Sequence, residues 1–401
     1  MIERIIDTLK ERRERVLKGD INCIPFTLGR FSNELPGIEK GCYYLVSGST
    51  KSGKSQVTNF LFLYTPLLYA YNNPDKVRVK IFYFPLEETP ENITLRFMSY
   101  LLFTLDNIRI APVDLKSTNS NKIIPDKVLE LLSSEKYQDI LKFYESNVIF
   151  LSDRNPTGMW KTMLKYANST GTVHTRTIDI TNNETGLVEK KEVFDYYEPD
   201  DRNEYVMCIT DHVSLLETER GYDLRQTIIK FSEYMMILRN KYDYIPVVIQ
   251  QQSTETNNLE AFKANRIRPN MAGLSDSKYT AKDATIMLGI TNPSSFEIPE
   301  YFGYDITRFK GNIRFLETVL NRNGESNGIV ALYFDGATNY FSELPLPDNK
   351  SEINKVLQYI DTVIRKKSNA LFMMISKEKT KVINNLHRIS VKGIFALKFK
   401  R

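Results

Sequence analysis

Thiol and imidazole are scarce in this chain. Three cysteines (Cys23, Cys42, Cys208) and three histidines (His174, His212, His387) are scattered through 401 residues. The cysteines are odd in number and show no CxxC spacing. That excludes a disulfide framework and points to reduced core thiols in a cytosolic compartment. The histidines lie too far apart to form a metal-ligand cluster. No apolar run is long enough to cross a bilayer, and the opening MIERIIDTLKERRER is charged throughout. Neither a membrane span nor a secretion signal is therefore expected, and the cytoplasm is the expected location. Internal repeats and low-complexity stretches are also missing.

What is present is an ordinary globular composition, 42% hydrophobic and 26% charged, enough for a full core in two or three domains. The net charge of +5 is uneven. From Lys350 onward 13 Lys and Arg face 3 Asp and Glu, leaving 41 basic against 46 acidic residues before it. A mildly acidic body with a basic tail suits a polyanion partner, or is a solvated basic extension.

Residues 2–18 carry Ile2, Ile5, Ile6, Leu9, Val16 and Leu17 at mostly helical spacing, which predicts an amphipathic helix. A Gly- and Pro-punctuated linker follows. From Gly41, apolar runs at 42–47, 77–84, 147–151, 205–210, 245–249, 285–290 and 315–320 alternate with helical patterns at 54–70, 90–104, 125–143, 157–167 and 224–241. This alternation predicts an α/β fold with a mainly parallel central sheet. Residues 172–198 break the rhythm with β-branched and polar alternation around NNETG, an inserted β-hairpin. Three regions result: a helix over 1–21, a core over 22–344 and a basic extension over 345–401.

Gly48-Ser49-Thr50-Lys51-Ser52-Gly53-Lys54-Ser55 matches G-x-x-x-x-G-K-[ST], with a strand before it and a helix after it. Glycines and small residues let backbone N–H groups converge on phosphate oxygens at a helix N-terminus. Lys54 would reach the β- and γ-phosphates of ATP or another nucleoside triphosphate, and Ser55 would ligate Mg²⁺. A second acid for the metal is expected at a strand end. EYVMCITDHVSLL offers Asp211 there, on the ligand side of an open α/β sheet. The run ending at Leu86 places Glu87 after another strand, with Glu88 as the rival, and Thr89-Pro90 opens a helix.

These pieces, in this order, resemble the RecA-fold domain of DnaB-family hexameric replicative helicases over roughly residues 22–344. The resemblance implies a RecA-like P-loop NTPase core. LGRFSNELPGIEKG is similar to the family's lead-in, and FPLEE to the motif of its catalytic glutamate, here Glu87. ITDHVSLL is similar to the second acidic motif, with Asp211 on the metal. YIPVVIQQQS resembles the strand ending in a phosphate-sensing glutamine, Gln252, with Gln251 the alternative. RIRPNMAGLSDSKYTAKDATIMLGI resembles the DNA-facing loop and its following strand, and LNRNGESNG the hairpin of an arginine finger, Arg322. The family's lysine two residues before the finger is Leu320 here, and its N-terminal helical collar has no counterpart. The 2–18 helix looks like the family's linker helix, which packs on the adjacent subunit. A collar-less chain of this kind is expected of a phage or other mobile-element replicon.

The reading implied is an ATP-dependent replicative DNA helicase that translocates on single-stranded DNA as a homo-oligomeric ring, a hexamer, and unwinds forked duplex. The loop over 253–282 carries Lys263, Arg266, Arg268 and Lys278 as phosphate contacts with little base-reading pattern, and 216–223 is a second loop for the channel. A primase, loader or polymerase is a partner for the basic tail. Two alternatives share the nucleotide chemistry: a RecA-type recombinase filament, and a nucleotide-gated DNA-binding ring or adaptor without unwinding.

Overall fold

A computed structural model describes residues 2–119, 122–181, 188–253 and 267–363. The strands, in chain order, are β1 (Ile24–Pro25), β2 (Gly37–Ile38), β3 (Tyr44–Gly48), β4 (Arg78–Pro85), β5 (Val148–Phe150), β6 (Gly171–Thr181), β7 (Val188–Pro199) and β8 (Glu204–Asp211). They continue with β9 (Ile245–Gln251), β10 (Ile286–Thr291), β11 (Glu300–Tyr301), β12 (Tyr304–Asp305), β13 (Ile313–Asn321), β14 (Ile329–Asp335) and β15 (Tyr340–Glu343).

Nine of them form one sheet, in the order β15-β14-β13-β10-β3-β9-β8-β4-β5. The six from β10 to β5 are parallel, as the alternation of strands and helices predicts. The last three run antiparallel. The 315–320 run is therefore a strand but not a parallel one: residues 292–312, which join β10 to β13, hold only short 3-10 turns and the β11–β12 hairpin and no crossover helix, so the chain returns antiparallel to β10.

Side-chain parity sorts the core onto the two sheet faces. Tyr44, Val46, Ile81, Tyr83, Met207, Ile209 and Val247 face one side, where Phe62, Phe97 and Tyr137 cover them. Tyr43, Leu45, Phe82, Phe84, Cys208 and Val248 face the other, under Met159, Met163, Phe231 and Met235. Each such side chain contributes about 1.5–3 kcal/mol on full burial. Cys42 and Cys208 are buried, Cys23 is half-buried, and all three are free thiols.

The covering helices start and stop where their ends can be satisfied. Pro90–Asp106 begins at Thr89, whose hydroxyl accepts from the Asn92 N–H, and has Pro90 in its first turn. Leu224–Tyr242 begins with a capping box between Asp223 and Gln226 and ends at Asp243 in the left-handed region. The segment predicted as one helix over 125–143 is two, Asp126–Leu132 and Glu135–Asn147, with Ser133 and Ser134 between them.

The inserted hairpin is β6 and β7, paired from Gly171↔Pro199 to Thr181↔Val188. Its base is held by Tyr197 and Phe194 against Tyr242. A helix over 350–363 packs Leu357 and Ile360 into a third cluster with Phe309, Phe315 and Tyr333. The start of the C-terminal extension is thus part of the folded core, and the rest of it lies outside the described residues. No helix among the described residues is long and apolar enough to cross a membrane.

Candidate active site

β3 delivers the chain to Gly48 at the C-terminal edge of the parallel strands, and the helix Lys54–Asn59 leaves from the same point. Two positions between them depend on glycine. A Cβ on Gly48 would lie 2.4 Å from Ile290 O, and Gly53, which caps the helix, has φ +102°. Lys54 arches back and donates from Nζ to Ser49 O at 3.0 Å. Its pKa is lowered by burial, against the pull of Asp211 and Glu87.

β4 and β8 pair in register to Pro85↔Asp211. Past that pair the N–H groups of Leu86 and Glu87 both donate to Asp211 O, at 2.8 and 3.1 Å. The two strand ends that carry the acids are therefore tied through the backbone. Asp211 is 3% exposed. The Ser55 hydroxyl lies beside its carboxylate, and Oδ1 is buried with no hydrogen-bond partner among the described residues. Burial pushes its pKa up to about 7, with the Ser55 hydroxyl and Lys54 opposing and the Glu87 and Glu88 charges adding. A hydroxyl beside an orphaned carboxylate oxygen, close to a phosphate-type loop, is a donor set that fits Mg²⁺.

Glu87 and Glu88 differ in what holds them. Glu88 is engaged by Arg96 at 2.6 Å. Glu87 has an exposed side chain, and its nearest ionisable partner is His212 Nε2 at 3.8 Å. Burial lowers the His212 pKa, so that ring is neutral at pH 7.

Gln250 and Gln251, which end β9, and Gln252, which follows it, separate by parity. Gln250 and Gln252 point to one side: Gln250 donates to Ser277 O at 2.7 Å, and Gln252 to Ser47 Oγ at 2.8 Å and Asn270 O at 3.1 Å. They anchor the returning segment 267–278 to the sheet. Gln251 points the other way and donates to Thr50 Oγ1 in the phosphate-type loop at 2.7 Å. Of the pair singled out in the sequence, the side chain on the loop is that of Gln251, not Gln252.

Arg322 lies at the opposite edge of the sheet. β13 ends on the pair Ile286↔Asn321, whereas Gly48 pairs with Ile290 at the other end of β10. About 13 Å of strand separates the two edges. Arg322 donates to Ala284 O and Lys282 O, at 2.9 and 2.7 Å. Leu320 packs into the second core cluster.

Of the four cations read as DNA contacts, Lys263 and Arg266 lie outside the described residues. Lys278 is exposed. Arg268 pairs with Glu317, a buried carboxylate on β13, at 2.6 Å, while its own side chain stays part-exposed. The loop 216–223 is pinned by Glu219, which pairs with Lys230 and accepts the Thr157 N–H at 2.8 Å.

One neighbour of the loop has no motif to announce it. Arg314, near the start of β13, is 7% exposed and donates from Nε to Ser52 O at 2.8 Å. Its only sequence signal is a charge inside the apolar run IRFL.

Among solved structures, an ATPase domain superposes with a TM-score of 0.58 at 14% identity, covering 86% of this chain and 99% of that one. A DnaB-like replicative helicase, solved in a study of its interactions with primase, matches with a TM-score of 0.56 at 13% identity. That match covers 85% of this chain and 66% of the helicase. The fold is that of a DnaB-type ATPase domain. A RadB recombinase lies further off, with a TM-score of 0.42. No protein-family model and no curated protein matches the sequence. The DnaB-type fold thus rests on shape, and the order of the motifs along the chain agrees with it.

Proposed function

We propose that this chain is an ATP-dependent replicative DNA helicase that encircles single-stranded DNA as a ring of identical subunits, a hexamer, and unwinds duplex. One observation carries the reading. Lys54, Ser55, Asp211 and Glu87 converge at one edge of a DnaB-type sheet, while Arg322 sits at the opposite edge, out of reach of its own loop. Such a site is completed only by a neighbouring copy.

In this reading ATP lies against the 48–55 loop, between subunits. Ser55 and Asp211 hold Mg²⁺, which when bound neutralises charge on the phosphates. Lys54 exchanges its bond to Ser49 for the β- and γ-phosphates. Glu87, with its exposed side chain, orients and deprotonates the attacking water. The Arg322 side chain of the neighbour stabilises charge on the transferring phosphoryl group, worth ~10³–10⁵ in rate where such a finger operates. Gln251 senses the nucleotide through the loop. Its neighbours Gln250 and Gln252 hold the segment 267–278 that returns to the sheet, so a shift of β9 is passed to that segment as well.

DNA contacts are proposed for Lys263, Arg266 and Lys278, through phosphates rather than bases. The apolar stripe of the N-terminal helix, exposed at Ile2, Ile5, Ile6 and Leu9, is proposed to seat on the adjacent subunit. The basic C-terminal segment serves DNA or a primase, loader or polymerase.

The test is unwinding of a forked duplex with only a 5′ or only a 3′ tail, with Glu87→Gln and Arg322→Ala as controls. Unwinding from one tail, abolished in both variants, is expected. Hydrolysis without unwinding would redirect the reading to a recombinase or a partner-dependent ring. Nucleotide binding without hydrolysis would leave a gated adaptor.

A further inference from the structure

Arg314 is a cation buried without a counter-ion. Its hydrogen-bond acceptors are all neutral: Ser52 O at 2.8 Å, Asn292 Oδ1 at 3.1 Å, Gly311 O at 2.8 Å and Ile313 O at 2.7 Å. Its guanidinium stacks on Phe334, with Cζ 4.9 Å from the ring centroid. Among the described residues no carboxylate pairs with it. Two other buried charges of the sheet do not behave this way: Glu317 has Arg268, and Asp335 has Arg109. A lone charge held in low dielectric by dipoles alone is costly to the fold. Burial accordingly lowers the Arg314 pKa to about 10.

The position of this charge is specific. Arg314 Nε lies 3.7 Å from where a Cβ on Gly53 would stand, directly behind the phosphate-type loop. It holds the carbonyl of Ser52. In a planar trans peptide the following N–H points the opposite way. The bond to Ser52 O therefore turns the Gly53 N–H away from Arg314 and toward the open side of the loop, where Lys54 and Ser55 also begin. Asn292, from the end of β10, and Phe334, from β14, fix the guanidinium in turn. The antiparallel strands thereby brace a loop that belongs to the parallel half of the sheet.

We infer that Arg314 is a positioning residue for polyphosphate binding: it orients the 52–53 peptide from behind and supplies a positive charge whose counter-ion is the bound nucleotide. The inference rests on the nucleotide-binding reading of the 48–55 loop and goes beyond it, since no loop motif includes this strand residue.

The experiment measures dissociation constants for MgADP and for magnesium-bound ATPγS on the full chain, together with nucleotide-free melting temperature, for wild type, Arg314→Met and Arg314→Lys. Wild type that binds neither nucleotide overturns the loop reading itself. With wild type binding, Arg314→Met is expected to bind at least ~tenfold more weakly, with the larger loss for ATPγS. Its nucleotide-free melting temperature should stay close to that of wild type, because removing an uncompensated buried charge offsets the four acceptors left without their donor. Arg314→Lys should recover part of the affinity. A merely structural arginine predicts the reverse: Arg314→Met melts lower yet binds both nucleotides within about twofold of wild type, and that result overturns the proposal. If Arg314→Met does not fold, Arg314→Gln read against Arg314→Lys decides. Equal affinities in those two variants remove the charge from the argument and overturn it as well.

Discussion

Gln251 donates its side-chain amide to Thr50 Oγ1 at 2.7 Å, linking the end of β9 to the phosphate-type loop across the sheet. Gln252, one residue on, turns away and is buried on Ser47. The two positions should therefore separate in function. Gln251→Ala should leave stability within ~0.5 kcal/mol, as for an accessible polar group, and lower DNA-stimulated ATP turnover. Gln252→Ala breaks two buried bonds and should destabilise by about 2–3 kcal/mol. Denaturant titration and turnover with and without single-stranded DNA check both; equal loss of turnover in two equally stable variants would contradict the assignment.

Arg322 stands at the sheet edge remote from its own loop, which predicts complementation between subunits. Glu87→Gln and Arg322→Ala should each abolish turnover alone. Mixed one to one, they create interfaces with an intact Glu87 on one side and an intact Arg322 on the other. Random head-to-tail assembly makes these about one quarter of all interfaces, so turnover should reappear at up to that fraction. A mixture as inactive as its parts would place both residues in one subunit's site.

Asp211 predicts a pH dependence. Its pKa is raised in the folded chain to about 7 by burial, so the folded state binds this proton more tightly than the unfolded chain does. The resulting stability is fully present below the ordinary carboxylate range near pH ~4 and is lost as pH rises through about 7. Without nucleotide, Asp211→Asn should therefore stabilise the protein at pH ~8 relative to pH ~5, by up to ~3 kcal/mol at about 1.36 kcal/mol per unit. Magnesium-dependent nucleotide binding should tighten over the same window. Melting curves at the two pH values, with and without magnesium, read both effects, and a pH-independent difference between wild type and Asp211→Asn would refute them.

Two cations of the segment proposed to face DNA should behave differently. Arg268→Ala leaves the Glu317 carboxylate buried and unpaired, and should destabilise by about 3–5 kcal/mol. Lys278→Ala removes an exposed charge and should leave stability unchanged. It should weaken single-stranded DNA binding and lower the salt slope of that binding by ~1 for each phosphate no longer neutralised. Binding isotherms across a salt series, beside denaturation curves, separate the two.

The sequence by itself determined the parts that depend on local chemistry. Apolar runs of strand length located seven strands of the core, because period and punctuation are properties of neighbours along the chain. The 48–55 loop was legible because tight turns and phosphate contact need glycine at set spacings, and Thr89-Pro90 marked a helix start for a similarly local reason. Glu87 and Asp211 could be placed at strand ends, but only tertiary structure decided that Glu88 is engaged by Arg96 and Glu87 is not. It also decided which glutamine meets the loop, since a one-residue change in strand parity exchanges the two faces. The antiparallel return of β13 along β10 joins residues 24 to 35 positions apart, and the pairing of Arg268 with buried Glu317 and the approach of Arg314 to Ser52 join residues 49 and 262 positions apart. Such contacts follow from sheet order and register, which no local pattern encodes.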